Sequence, residues 1–219
     1  MLLLAPAFAA IVVSISASAD VSPSLVGHVV DETNAIWKPA GVTFVWQRDG
    51  QQPSTEVAVA IGHDRGSAQS HIAPIGWIVF DGGRPERRMY LSIENAVALL
   101  DGTRGPREPA SEMPLLERET YLGRALGRAL AHELGHYLLA DKTHTTTGLM
   151  KANFSAAEFF TPDRSRFTLT AAQQAIVAAR VDQTPLIAAT GSGSSSPTSQ
   201  PPASPRRGVA RWSGPTPRL

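Results

Sequence analysis

The chain has 219 residues, 20 basic against 19 acidic side chains, a formal net charge of +1 and no cysteine. This balance leaves no broad basic face, which argues against nucleic acid as a partner. Without cysteine there is no disulfide framework and no thiolate ligand, so any soft-metal site must be built from histidine and carboxylate.

The first nineteen residues have the pattern of a secretory leader. Leu2–Leu4 and Ala7–Val13 are apolar, and Ala17-Ser18-Ala19 is a small-x-small cleavage pattern before Asp20, although no Lys or Arg precedes the run. Pro6, Ser14, Ser16 and Ser18 interrupt it, and it is short for a membrane span. The expectation is a cleaved leader over 1–19, a secreted, periplasmic or extracellular location, and no stable membrane insertion afterwards. From Gly191 the text "GSGSSSPTSQPP" opens a Ser-, Pro- and Gly-rich stretch with no apolar periodicity. Such a segment buries too little surface to offset its ordering entropy, so 186–219 is expected to be a disordered tail. What remains, 20–185, is enough for one domain with its own core. We expect it to be a monomer.

Ser22-Pro23 starts a helix with a capping serine and a first-turn proline. Leu25, Val26, Val29, Val30, Ile36 and Trp37 follow at near-helical spacing, and Pro39 and Gly41 stop the helix. Val42–Trp46, Val57–Ile61, Ile75–Phe80 and Met89–Ile93 read as strands, with a turn at Asp81-Gly82-Gly83. Residues 101–114 read as a loop. A long helix is predicted from Leu115 to Leu139. Its apolar or small positions Leu122, Ala125, Leu126, Ala129, Leu130, Leu134 and Leu138 cover more than half its circumference, which marks a buried helix. Thr170 and Gln173 form a capping box for a last helix reaching about Val181. This order of elements is an α+β layout.

The long helix carries "ALAHELGHYLLA". His132 and His136 are four apart, so their imidazoles lie one turn apart on one face and can reach a single ion. Glu133 sits about 100° around the helix, suited to act as a general base on water at that ion. Burying two histidines and a glutamate in an apolar helix without a partner is costly, and zinc supplies the partner. His63, Asp64 and His71 read as ordinary loop residues.

The sequence "HELGH", a following histidine and then Gly148-Leu149-Met150 resembles the metzincin clan of zinc endopeptidases over about 126–151, with the compact spacing of matrixins. The resemblance implies a small twisted mixed sheet packed on an N-terminal helix and an active-site helix, with a C-terminal helix. It implies Zn2+ held by His132, His136 and His144, with Glu133 as the base and Met150 as the Met-turn beneath the ion. The chain departs from the usual H-E-x-x-H-x-x-G-x-x-H. Leu139 stands where the glycine falls, Lys142 where the third histidine falls, and His144 comes two residues later. The chain is expected to leave the helix at Asp141, which tolerates left-handed backbone. A thermolysin-like site would instead use Glu158. The expected function is a secreted zinc-dependent endopeptidase acting on a peptide or protein substrate, laid as an added strand along 75–80 or 89–93. The alternative is a catalytically inactive, zinc-stabilised binding protein.

Overall fold

Short runs of alternating apolar residues build a five-stranded sheet. A computed structural model of the chain describes residues 10–48, 57–66, 73–105 and 108–182. The strands are β1 (Ala10–Ala17), β2 (Thr43–Arg48), β3 (Val57–Gly62), β4 (Gly76–Asp81) and β5 (Arg84–Ser92), in the order β2-β1-β3-β5-β4. Neighbouring strands run parallel except the β4–β5 pair, which is antiparallel. Side chains alternate between the two faces of a strand. One face therefore gathers Ile11, Val13, Ile15, Phe44, Val57, Val59, Ile61, Met89 and Leu91, all buried.

The helices are α1 (Pro23–Trp37), α2 (Ile93–Arg104), α3 (Leu115–Leu139), α4 (Ala156–Phe160) and α5 (Ala171–Asp182). Parallel neighbours need a crossover, and α1 supplies it between β1 and β2. The Ser22 hydroxyl caps α1 by accepting from Leu25 N–H at 3.0 Å. Helix α3 packs against α1 and against β4 and β5. The two helices approach closely at Gly127, where a Cβ would stand 2.7 Å from Glu32 Cβ and 2.9 Å from the Val29 carbonyl oxygen. Across this contact Thr33 donates to the Gly127 carbonyl (3.1 Å) and Trp37 to the Ala131 carbonyl (3.2 Å). The long helix is thus fixed by packing and by side-chain bonds to its backbone, as its broad apolar arc implies.

Two expectations change. Helix α2 takes up 93–104, where the sequence suggested the end of a strand and the beginning of a loop; its cap is Ser92, accepting from Asn95 N–H at 3.2 Å. More consequential is β1. The stretch expected as part of a cleaved leader is the strand between β2 and β3, with Val13 paired to Trp46 on one side and Val57 on the other. Ile11, Val13 and Ile15 are core residues. The sheet thus includes Ala10–Ala17, upstream of the expected domain start at Asp20. No helix among the described residues is long and apolar enough to cross a membrane. The expected tail, 186–219, lies outside the described residues, as does His71.

Candidate metal centre

Helix α3 runs beneath the sheet edge with His132, Glu133 and His136 in its last two turns. The helical spacing sets the first two imidazoles side by side, and their Nε2 atoms stand 3.1 Å apart. The Nδ1 atom of His132 donates to the Leu149 carbonyl and that of His136 to the Asp141 carbonyl, each at 2.7 Å. These bonds fix both rings and leave each Nε2 with its lone pair free, the arrangement a ligating histidine needs.

The third imidazole arrives by a route that accounts for the longer spacing. The chain leaves α3 at Ala140, whose φ is +52°, and not at Asp141. The Ala140 and Asp141 N–H groups close the helix end on the Tyr137 and His136 carbonyls. The Asp141 carboxylate then accepts from Thr143 N–H (2.8 Å) and Thr143 Oγ1 (2.6 Å), making a second turn. Thr145 N–H donates to the Met150 carbonyl at 2.8 Å, which ties the return. His144 is thereby stacked on His132 (centroids 5.3 Å apart, planes at 14°) and edge-on to His136 (4.8 Å). Lys142, at the usual ligand position, is exposed.

A left-handed alanine costs about 1–2 kcal/mol relative to the right-handed region, and glycine relieves most of it. Ala140→Gly is therefore expected to stabilise the protein by about 0.5–1 kcal/mol, after the greater entropy of an unfolded glycine, raising Tm by about 2–4 °C. A lowered Tm in a thermal melt would show that the chain does not turn at this residue.

The donor set fits a zinc ion. One donor atom from each of the three histidines lies within 4.8 Å of the others, the single such cluster among the described residues. Two nitrogens about 2.0–2.1 Å from a tetrahedral zinc stand about 3.3 Å apart, close to the separation of the first pair. Burial, above all, pushes the His132 pKa down to about 4 and lowers that of His136 as well. Both are then neutral at physiological pH, the form that binds metal. Beneath them, Met150 is buried against Gly135, where a Cβ would lie 2.3 Å from its sulfur. Only glycine leaves space for the turn at that point of the helix.

Glu133 faces the same space but is not part of the imidazole cluster. Its carboxyl is buried, which pushes its pKa up to about 8, against a smaller opposing effect of a hydrogen bond from the Ile78 backbone. A cation at the imidazoles would favour the carboxylate. Ile78 belongs to β4, the terminal strand of the sheet on this side, whose outer edge is free among the described residues. Phe80, farther along β4, stands edge-on over His136 at 6.0 Å. A cavity of about 310 Å³ opens beside the cluster, lined by His132, Glu133 and His144 with Ile75, Phe154 and Phe159 among the apolar walls.

Glu158 is placed elsewhere. Its carboxylate accepts from Ser155 N–H (2.7 Å) in the capping box of α4 and from Lys151 Nζ at 2.8 and 3.0 Å. These bonds, that of Lys151 first, hold its pKa down to about 2. The thermolysin-like alternative therefore loses its ligand. His63 is bound to Asp20 at 2.8 Å on the surface and lies outside the histidine cluster.

Sequence reasoning also missed two residues. Arg124 and Arg128 precede His132 and His136 at the same four-residue spacing on α3, so all four follow one stripe of the helix. That spacing was visible, but the partners of the arginines were not.

No family model matches the sequence, and no curated protein matches it. The fold does have counterparts among solved structures. Archaemetzincin from Methanopyrus kandleri superposes with a TM-score of 0.52 at 15% identity, covering 82% of this chain and 100% of that one. Metalloproteinase-II from Bacteroides fragilis gives 0.42 at 12% identity, covering 80% of this chain and 54% of its own. Myroilysin gives 0.33 at 11% identity, covering 79% and 83%. The fold of this chain is α+β and metzincin-like. The likeness does not single out matrixins, to which the motif spacing had pointed.

Proposed function

We propose that the protein is a zinc-dependent endopeptidase. The observation that carries this reading is the placement of Glu133 beside, but outside, a convergent cluster of three imidazoles, in a cavity under a sheet edge that is unpaired among the described residues. A site that only held the chain together would favour four protein ligands and would not need a buried carboxylate facing the open side. His132, His136 and His144 would hold the ion. When bound, zinc supplies Lewis acidity, polarising a carbonyl and making nearby water more acidic. Glu133 takes the proton of the attacking water and delivers it to the leaving amine nitrogen. The free edge of β4 offers backbone donors and acceptors to an extended peptide, which would lie over the histidines as an added strand. The choice between the two candidate strands falls to β4, because β5 is paired on both sides.

The test is zinc analysis of the full chain beside cleavage of a broad peptide library, with and without chelator. We expect about one zinc per chain and chelator-sensitive cleavage. The ligand assignment gives a sharper comparison. His144→Ala removes one of three nitrogens and is expected to weaken zinc binding by at least ~10-fold. Glu158→Ala and Lys142→Ala should leave zinc affinity nearly unchanged. If zinc binding depended on Glu158 and not His144, the metzincin-like ligand set would be wrong.

A further inference from the structure

The segment after Met150 forms one wall of the cavity with little regular structure of its own. Its helix α4 has five residues, and the rest up to α5 is turns and bends. Yet Phe154 and Phe159 are fixed beside the metal ligands, Phe154 edge-on to His132 at 6.2 Å and 5.7 Å from Phe159. What fixes them starts on α3. Arg128 is wholly buried and donates through Nε to Glu32 Oε1 on α1 at 2.8 Å. Its Nη1 donates to the Glu158 carbonyl and its Nη2 to the Asp163 carbonyl, the latter at 3.0 Å. One turn earlier, Arg124 Nη1 donates to the Phe160 carbonyl at 2.6 Å. The Arg128 guanidinium also lies over the Phe167 ring at 4.6 Å, and Phe167 stacks on Phe154 at 4.7 Å. Glu32, in turn, accepts from Arg164 at 2.7 and 2.9 Å, which binds the far end of the segment to the same carboxylate.

An arginine placed only to join α1 to α3 would need Glu32 and nothing more. Here the planar fork spends its other donors on carbonyls of a segment that cannot satisfy them itself. We propose that Arg128, seconded by Arg124, is a positioning residue for substrate selection: it suspends residues 158–163 from the metal helix so that Phe154 and Phe159 stand as a fixed wall of the cavity. The first half of one helical stripe thus shapes the cavity and the second half binds the ion. The consequence for peptides rests on the peptidase reading above; the clamp on the wall does not.

The experiment uses the full zinc-loaded chain and Arg128→Lys, which keeps a charge opposite Glu32 but cannot reach two carbonyls as well. Amide exchange of 152–167 is expected to accelerate by ~10-fold or more, with α3 unchanged and zinc still about one per chain. Two peptide hydroxamates serve as direct binding probes, one carrying a benzyl side chain for the cavity and one a methyl. Affinity for the first should fall ~10-fold and for the second less than about twofold, and for peptides with a bulky apolar residue KM should rise more than kcat falls. Unaltered exchange of 152–167, or equal loss of both hydroxamates, would overturn the proposal. Should Arg128→Lys not fold, Arg124→Lys decides it, with the same pattern at smaller size in support and no pattern against. A wild type that cleaves no peptide but shows the exchange and hydroxamate pattern would refute the peptidase reading and leave the clamp standing.

Discussion

Glu133→Gln is expected to lower peptide cleavage by about 10²–10⁴-fold while zinc stays bound. The substitution keeps the size of the side chain and all three imidazoles, and removes only the proton acceptor. The fold should tolerate it well. In chelator-treated protein the buried Glu133 carboxyl has its pKa raised to about 8, so near neutral pH it is mostly the neutral acid, which glutamine imitates. The sign of the pH effect follows. A carboxyl whose folded pKa lies above its ordinary value of 4.5 favours the folded state at low pH, and that advantage is lost as pH rises toward and through about 8. Metal-free wild type should therefore lose stability over that range, and metal-free Glu133→Gln should lose less. Cleavage by Glu133→Gln at the wild-type rate, with zinc content matched, would remove Glu133 from the mechanism. If neither protein cleaves any library peptide, the zinc-stabilised binding protein becomes the better reading.

Val13→Asp is expected to abolish folding. Val13 is fully buried at the middle of β1, between Trp46 of β2 and Val57 of β3. An unpaired carboxylate there costs several kcal/mol, comparable with the ~5–15 kcal/mol that holds a typical domain together. Ala17→Asp, at the exposed end of the same strand, should change stability by no more than about 0.5 kcal/mol. A chain begun at Asp20 should fare as badly as Val13→Asp, because it leaves β2 and β3 with unpaired facing edges and opens the core at Ile11, Val13 and Ile15. The measurements are a thermal melt and zinc content of each variant. A cooperatively melting, zinc-loaded protein that begins at Asp20 would favour the leader and with it export.

Where structure follows from neighbours along the chain, the sequence by itself determined it. The start of α1 lies in Ser22-Pro23, that of α5 in the Thr170–Gln173 box, and the adjacency of His132 and His136 in four residues of helix. Glu133 is legible for the same reason, since a helix fixes angular position by count alone. Tertiary structure decided what depends on partners distant in the chain. A buried parallel strand and the apolar part of a leader have the same composition, and only pairing to both β2 and β3 distinguishes them for Ala10–Ala17. The turn at Ala140 was hidden because alanine carries no preference for left-handed backbone; bonds from Thr143 and Thr145 hold the loop that follows. That His144 joins the imidazole cluster while Lys151 and Ser155 engage Glu158, and that Arg124 and Arg128 reach carbonyls some thirty residues away, came only with the packed chain. Backbone carbonyls are alike at every residue, so no sequence pattern marks which of them an arginine or a histidine will reach; only the packed chain brings the two together.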